Sequence, residues 1–168
     1  MNKKYKAIIF DLDQTLVDSS KLETLRKSRH WAKVMQSLHE ITQLQEMKNL
    51  VLNLVKDNIK VGIITNSPRM YAEAVLTRFE IPFDALVAYH DVTKRKPDPE
   101  AFEKIIKILD VQCGECLSVG DHDNDIIASQ SANIYAAGAL WHSSDYVFDS
   151  KPQLLFSSVS DFLNHLKK

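Results

Sequence analysis

Short apolar runs alternate with amphipathic stretches along most of the chain. The apolar runs predict buried strands at residues 5–10, 61–64, 85–89, 117–120 and 134–137, and helices are predicted at 47–58, 68–79, 98–109 and from about 159. Two of these helices begin with start signals, Ser67-Pro68 and Asp98-Pro99, in which a capping side chain precedes proline. Strands that alternate with helices form parallel sheets covered on both faces. The pattern therefore predicts the α/β class in a three-layer α/β/α arrangement.

One segment interrupts this alternation. Residues 19–45 lie between the first strand and the helix at 47–58, and their apolar positions recur at three- and four-residue steps, which predicts one or two helices. Because so short a segment cannot bury a core of its own, we expect a small helical cap insertion within a single domain of residues 1–168. The site beside it should be open, so that it either admits a bulky substrate or is covered by a second copy of the chain in a homo-oligomer.

Composition narrows the class of protein. The 168 residues fit one domain, and a formal net charge of −1 gives no general attraction to nucleic acid or to an anionic membrane surface. The apolar runs are far shorter than the roughly 20 residues of a membrane-spanning helix. The two cysteines, Cys113 and Cys116, are too few for a disulfide scaffold or a four-ligand zinc site. We therefore expect a cytoplasmic protein that binds neither nucleic acid nor membrane.

Polar residues follow the predicted strands at the points where the strands end. They are Asp11 and Asp13 after the first strand, Thr65 and Asn66 after the second, Lys94, Arg95 and Lys96 in the loop after the third, and Asp121 and Asp125 after the fourth. Ligands bind at this carboxyl edge of an open parallel sheet. For these residues to meet, the first strand must be central, flanked by the strands that end at Thr65 and Gly120. Converging carboxylates repel one another, which favours Mg²⁺, and a lysine and a hydroxyl beside it suit a phosphoryl group.

The order of these motifs resembles that of the haloacid dehalogenase (HAD) superfamily of hydrolases, on its phosphatase branch and similar to phosphoglycolate phosphatases, with a reduced cap. The motifs are the Phe-Asp-Leu-Asp-Gln-Thr-Leu stretch at 10–16, Ile64-Thr65-Asn66, Lys96-Pro97, and Gly120-Asp121 followed by Asp125. The resemblance spans residues 5 to 166. It implies a Rossmann-like parallel sheet and a Mg²⁺-dependent phosphatase that hydrolyses a small-molecule phosphomonoester.

The resemblance also implies a role for each motif residue. Asp11 would be the nucleophile that forms an aspartyl-phosphate, and Asp13 the general acid and base. Thr65 and Asn66 would bind the phosphoryl oxygens, and Lys96 would stabilise the charge of Asp11 and phosphate. The implied metal ligands are Asp11, the backbone carbonyl of Asp13, Asp121 and Asp125. Two points stay open: Lys94 is the alternative to Lys96, which the family's Lys-Pro form favours, and Asp125 binds the metal either directly or through water.

Some features leave other interpretations open. Gln14 stands where many relatives have glycine, which affects the local turn. A phosphomutase of the same family would use a larger cap than this chain has room for, and a HAD-fold binding protein would be expected to lack Asp11 or Asp13. The basic segment 21–33 either contacts the substrate beyond its phosphate or is a solvated helix face. His122 and Asp123 are interpreted as loop or capping residues, and Trp31 and Trp141 as packing residues.

Overall fold

The structure, a computed structural model, describes residues 5–44 and 46–167. Its strands are β1 (Ala7–Phe10), β2 (Val17–Asp18), β3 (Thr42–Gln43), β4 (Lys60–Ile64), β5 (Ala85–Val87), β6 (Cys116–Gly120), β7 (Tyr135–Ala139) and β8 (Leu154–Phe156). Its helices are α1 (Glu23–Lys27), α2 (Trp31–Gln36), α3 (Met47–Lys56), α4 (Arg69–Arg78), α5 (Glu100–Leu109), α6 (Asp123–Ser131) and α7 (Val159–Leu166).

Six of the strands form one parallel sheet in the order β5-β4-β1-β6-β7-β8. Strand β1 lies between β4 and β6, and Phe10 is in register with Ile63 on one side and Val119 on the other. All four residues of β1 are fully buried, because the strand has neighbours on both edges and helices on both faces. The predicted central strand and its two neighbours are confirmed.

Helices pack on both faces of this sheet. Alternate side chains of β1 point to opposite faces, so that Ile8 and Phe10 join one apolar cluster while Ala7 and Ile9 join the other. The buried sides of α3, α4 and α7 pack in the first cluster, and those of α5 in the second. The predicted three-layer α/β/α class is therefore confirmed.

The segment between β1 and α3 has its own short elements. Strands β2 and β3 pair in antiparallel fashion at its base, with α1 and α2 between them. Leu22, Val34 and Ile41 are buried and join the apolar cluster of the main fold, so the segment shares that core. The last residue of the predicted insertion, Gln45, lies outside the described residues.

Some predicted boundaries differ from the structure. The third strand ends at Val87, and Tyr89–Asp91 forms a turn of 3₁₀ helix instead of a strand end. Helix α4 begins at Arg69 without a side-chain cap, so the prediction that Ser67 caps it was wrong. The edge strand β8 was not predicted. Within residues 5–44 and 46–167, every helix is too short or too polar to cross a membrane.

Candidate active site

The predicted site residues meet at the carboxyl edge of the sheet. The ladder continues one residue beyond the strands, since the Asp11 N–H donates to the Val119 carbonyl (2.9 Å) and the Thr65 N–H to the Val87 carbonyl (3.0 Å). Backbone hydrogen bonds to neighbouring strands therefore fix where Asp11 and Thr65 leave the sheet. Asp121 follows directly after β6, which is paired with β1.

Lys96 is buried between two carboxylates. Its Nζ donates to Asp11 Oδ1 at 2.6 Å and to Asp125 Oδ1 at 2.5 Å, and its side chain is only 4 % exposed. Burial disfavours the charged amine, but Asp11 and Asp125 outweigh that effect and raise the pKa of Lys96, so it is a cation. Lys94, by contrast, is 73 % exposed and lies 3.8 Å from Asp98. Of the two lysines, the structure brings Lys96 to Asp11.

Three carboxylates form a cluster beside Lys96. Oxygen atoms of Asp11, Asp121 and Asp125 all lie within 4.8 Å of one another. Burial and the neighbouring carboxylate of Asp125 raise the pKa of Asp121 to about 7. Burial likewise raises the pKa of Asp11, against the opposing effect of Lys96. One lysine leaves the cluster short of positive charge, and carboxylate oxygens are the donors that Mg²⁺ prefers, so the donor set fits this ion.

A glycine allows Asp125 to approach β6. A Cβ atom on Gly120 would lie 2.4 Å from the Cβ of Asp125, which is shorter than any van der Waals contact. The other oxygen of Asp125, Oδ2, accepts the His122 N–H (3.1 Å) in a capping box at the start of α6. His122 also accepts the Asn124 N–H at Nδ1 (3.2 Å), as predicted for a capping residue. Both oxygens of Asp125 thus have protein donors.

Asp123 points away from this cluster to the loop after β7. Its Oδ2 accepts the Tyr146 hydroxyl (2.7 Å), and its Oδ1 accepts the Ser150 N–H (2.8 Å). Burial opposes ionisation, but these hydrogen bonds outweigh it and lower the pKa of Asp123 to about 2. Asp123 is the first residue of α6, and it joins this helix to the loop between β7 and β8.

Asp13 accepts hydrogen bonds from three hydroxyl groups and forms an ion pair with Arg26. Its Oδ1 accepts the hydroxyls of Ser19 (2.5 Å) and Tyr71 (2.6 Å), and its Oδ2 accepts that of Ser67 (3.1 Å) and lies 2.8 Å from Arg26 Nη1. Burial, together with the Asp13 charge, raises the pKa of Tyr71, so its hydroxyl stays protonated as a donor. The Asp13 carboxylate is therefore bound by donors from the insertion and from α4, while its predicted backbone contact with a metal stays a prediction.

Sequence reasoning missed these four partners of Asp13. Ser67 was interpreted as a helix cap, and Tyr71 was given no role. Arg26 belongs to the basic segment 21–33, but nothing in the sequence singles it out from its neighbours. Trp31, interpreted as a packing residue, does pack on Tyr71 with ring centres 5.6 Å apart, and it also lines the site.

The predicted site residues surround a cavity of about 450 Å³. One wall carries Asp11, Asp13, Thr65, Asn66, Lys96, Asp121 and Asp125, and the other carries Glu23, Arg26, Lys27 and Trp31 of the insertion. Asn66 also donates from Nδ2 to the Lys96 carbonyl (3.1 Å), which fixes the lysine's loop. Gln14 lines the cavity with a left-handed φ of 62°, which explains why glycine is common there in the family that the sequence resembles.

Comparison with known proteins agrees with this geometry. The family model of haloacid dehalogenase-like hydrolases matches residues 22–139. Pyrophosphatase PpaX of Bacillus anthracis is 31 % identical over 153 residues, which cover 88 % of this chain and 70 % of that protein. PpaX of Bacillus cereus (strain Q1) gives the same values.

Solved structures resemble the whole chain. A predicted phosphoglycolate phosphatase from Haemophilus somnus 129pt superposes with a TM-score of 0.81 at 21 % identity, covering 98 % of this chain and 99 % of that one. A hydrolase from Pseudomonas syringae superposes with a TM-score of 0.83 at 24 % identity, covering 96 % and 98 % of the two chains. At these identities the likeness bears on the fold alone.

Proposed function

The chain belongs to the haloacid dehalogenase-like hydrolases, on their phosphatase branch, and from that premise we propose that it is a Mg²⁺-dependent phosphatase with a covalent intermediate on Asp11. The observation that carries the proposal is the buried Lys96 between Asp11 and Asp125, with Asp121 in the same cluster. A cation beside a carboxylate that faces a cavity stabilises both the nucleophile and the phosphoryl group that it attacks.

In the first step Asp11 attacks phosphorus. Because Lys96 occupies Oδ1 of Asp11, we assign the attack to Oδ2. The bond between Oδ2 and phosphorus forms while the bond from phosphorus to the ester oxygen breaks. The leaving oxygen takes a proton from Asp13, which enters this step in its protonated form, with one of its oxygens donating instead of accepting. Thr65 lines the cavity, and its hydroxyl accepts the Ser67 N–H (3.0 Å), so its own proton is left for a phosphoryl oxygen.

In the second step water hydrolyses the aspartyl-phosphate. Asp13, now ionised, accepts a proton from the water as its oxygen attacks phosphorus, and the bond to Asp11 breaks to release phosphate. The hydroxyls of Ser19 and Tyr71 hold the Asp13 carboxylate in one orientation for this task. Phosphorylation and hydrolysis thus use the same two carboxylates in turn.

Asp11, Asp121, Asp125 and the backbone carbonyl of Asp13 are the residues that would hold Mg²⁺. When bound, the ion neutralises negative charge on the carboxylates and on the phosphoryl oxygens. Since Asp125 already accepts from Lys96 and His122, its contact through water is favoured over a direct bond. Asp121 is oriented by the Thr15 hydroxyl, which donates to its Oδ1 (3.2 Å).

We further propose that the chain acts as one domain in which residues 19–45 are a reduced cap, and that its substrate is a small-molecule phosphomonoester. The cytoplasm is its proposed location, because Cys113 and Cys116 are both free thiols.

Hydrolysis of p-nitrophenyl phosphate tests the proposal. Release of p-nitrophenolate should require Mg²⁺ and should stop when EDTA is added. Asp11→Asn keeps the side chain's shape but removes the nucleophile, so turnover should fall by orders of magnitude. Asp13→Asn should lower it by roughly 10²–10⁴-fold.

The matched control is Asp57→Asn, an exposed aspartate at the end of α3, which should keep full activity. Turnover by Asp11→Asn equal to that of Asp57→Asn would contradict the covalent mechanism. Full turnover in EDTA would contradict the metal requirement.

A further inference from the structure

A second cavity of about 470 Å³ adjoins the catalytic one. Arg26, Trp31 and Asn66 line both cavities, so the two meet at these side chains. The far wall of the second cavity is formed by Arg29 from the insertion and by the Tyr89-His90 turn after β5. Arg29, Tyr89 and His90 have no role in the two chemical steps, so this part of the space is free for another part of the substrate.

The second cavity differs from the first in its charge. Among its lining residues in the described part of the chain, Arg26 and Arg29 are cationic and none is acidic. The nearby Asp91 is already bound, since its Oδ2 accepts from Arg69 (2.6 Å) and from the Ala88 N–H (2.7 Å). The catalytic cavity, by contrast, is lined by several carboxylates. An anionic group would therefore be attracted to the second cavity.

The Tyr89 ring lies against two arginines, of which Arg29 lines the second cavity. The guanidinium carbon of Arg95 lies 3.9 Å from the Tyr89 ring centre, and that of Arg29 lies 5.6 Å from it. A guanidinium against an aromatic ring leaves its N–H groups directed outward for a planar anion. Arg95 also donates from Nε to the Tyr89 carbonyl (3.3 Å), which ties the two residues together.

Arg26 lines the second cavity and also contacts the proposed general acid, Asp13. Its Nη1 lies 2.8 Å from Asp13 Oδ2, while its buried Nε–H has no hydrogen-bond partner among the described residues. Arg26 therefore has unused donor capacity beside the general acid. A leaving group that Asp13 protonates therefore lies close to Arg26, which lines both the catalytic cavity and the second cavity.

We infer that the second cavity binds the leaving group of the substrate and that this leaving group carries a carboxylate or a second phosphate. Arg26 and Arg29 bind that anionic group, and Trp31 lies against the connecting part of the molecule. The inference rests on the proposed function, because it takes Asp11 as the point at which the transferred phosphoryl group binds.

Binding to the Asp11→Asn variant, which does not turn substrate over, tests the inference. Calorimetry with Mg²⁺ present would compare 3-phosphoglycerate with glycerol 3-phosphate, a pair that differs in a carboxylate against a hydroxymethyl group. Glycerol 1,3-bisphosphate supplies a second phosphate in the same series. We expect at least one anionic ligand to bind about fivefold or more tightly than glycerol 3-phosphate, and the ligand that does so distinguishes carboxylate from phosphate.

The tighter binding of an anionic ligand over glycerol 3-phosphate should depend on Arg29. Arg29→Gln in the same background should reduce it, whereas Lys33→Gln, which removes an equally exposed charge from the insertion but lines neither cavity, should leave it unchanged. Equal affinities for all three ligands, or a preference unaffected by Arg29→Gln, would overturn the inference. Failure of the wild type to hydrolyse any phosphomonoester would instead contradict the proposed function, so the two failures are distinguishable.

Discussion

The two walls of the catalytic cavity are built in different ways. The sheet wall carries Asp11, Lys96 and Asp125, whose side chains are 12 %, 4 % and 6 % exposed. The insertion wall is carried by helices of five and six residues, and its Glu23 and Lys27 pair with each other at 49 % and 76 % exposure. The first wall is positioned by strand ladders on both sides of β1. The second wall is positioned by the packing of apolar side chains such as Leu22, Val34 and Ile41 in the core of the main fold.

The sheet wall and the insertion wall also differ in the roles that the proposal gives them, since the first carries the reacting groups and the second the groups that would recognise the substrate. Under the proposed function, the groups that take part in bond making lie on the wall fixed by the backbone, and the groups that would contact the variable part of a substrate lie on the insertion wall. Asp13 joins the two, because it follows β1 while Arg26 and Ser19 of the insertion bind its carboxylate. Variants on each wall should therefore differ in the size and kind of their effects.

The largest effect is expected on the sheet wall at Lys96. Lys96→Met leaves buried carboxylates without their cation, so the free energy of unfolding in Mg²⁺-free buffer should fall by about 3–5 kcal/mol, and turnover should fall by about 10²-fold or more. Urea unfolding and p-nitrophenyl phosphate hydrolysis measure the two quantities.

Lys94→Met is the matched control, since Lys94 is 73 % exposed in the same loop. Its unfolding free energy should change by no more than about 0.5 kcal/mol. Equal losses for both variants would show that Lys96 is not the buried partner of Asp11.

A second test on the sheet wall uses two glycines. Gly120→Ala adds a methyl group 2.4 Å from Asp125 Cβ, so α6 must shift, which should cost about 1–3 kcal/mol of stability and lower turnover as Asp125 moves from Lys96. Gly114→Ala adds the same group where nothing lies within 4 Å, so it should change neither quantity. Thermal unfolding and turnover of the two variants give the comparison, and similar results for both would contradict the close packing of Asp125.

Part of the sheet wall was predictable from the sequence, because Asp11, Thr65 and Asp121 directly follow apolar runs. These residues lie at strand ends, whose position does not depend on the conformation of the loops. Parallel pairing of the strands is therefore enough to bring Asp11, Thr65 and Asp121 to one edge of the sheet. The family's Lys-Pro form favoured Lys96 over Lys94 from the sequence, and the structure adds the physical reason, since Lys96 is buried between Asp11 and Asp125 while Lys94 is exposed. Strand β8 was not predictable from the hydrophobic pattern, because it has only three residues and lies at the sheet edge with Leu155 exposed.

The insertion wall was not predictable at the level of single contacts. Strands β2 and β3 have two residues each, too few to show an alternating pattern. The bonds from Arg26 and Tyr71 to Asp13 join elements that are distant in sequence, and no local spacing encodes them. The composition of segment 21–33 indicated a basic surface but not which of its cations reaches the site.

A smaller effect is expected on the insertion wall at Arg26. Arg26→Gln removes the ion pair with Asp13, whose two side chains are 15 % and 11 % exposed, so the stability loss should be about 1 kcal/mol. Turnover of p-nitrophenyl phosphate should fall less than about tenfold, because three hydroxyls still hold Asp13. Lys33→Gln again serves as the control and should match the wild type. A loss at Arg26 as large as that at Lys96 would remove the distinction between the two walls.

Trapping of the phosphorylated protein tests the central claim most directly. In Asp13→Asn, p-nitrophenyl phosphate should still phosphorylate Asp11, because p-nitrophenolate leaves without a proton, while the weakened activation of water slows hydrolysis. Intact-mass spectrometry after acid quenching should therefore find one added phosphoryl group, on the peptide that contains Asp11, and none when Asp11→Asn is combined with Asp13→Asn. Release of p-nitrophenolate with no phosphorylated protein, or a phosphoryl group on another residue, would contradict the account.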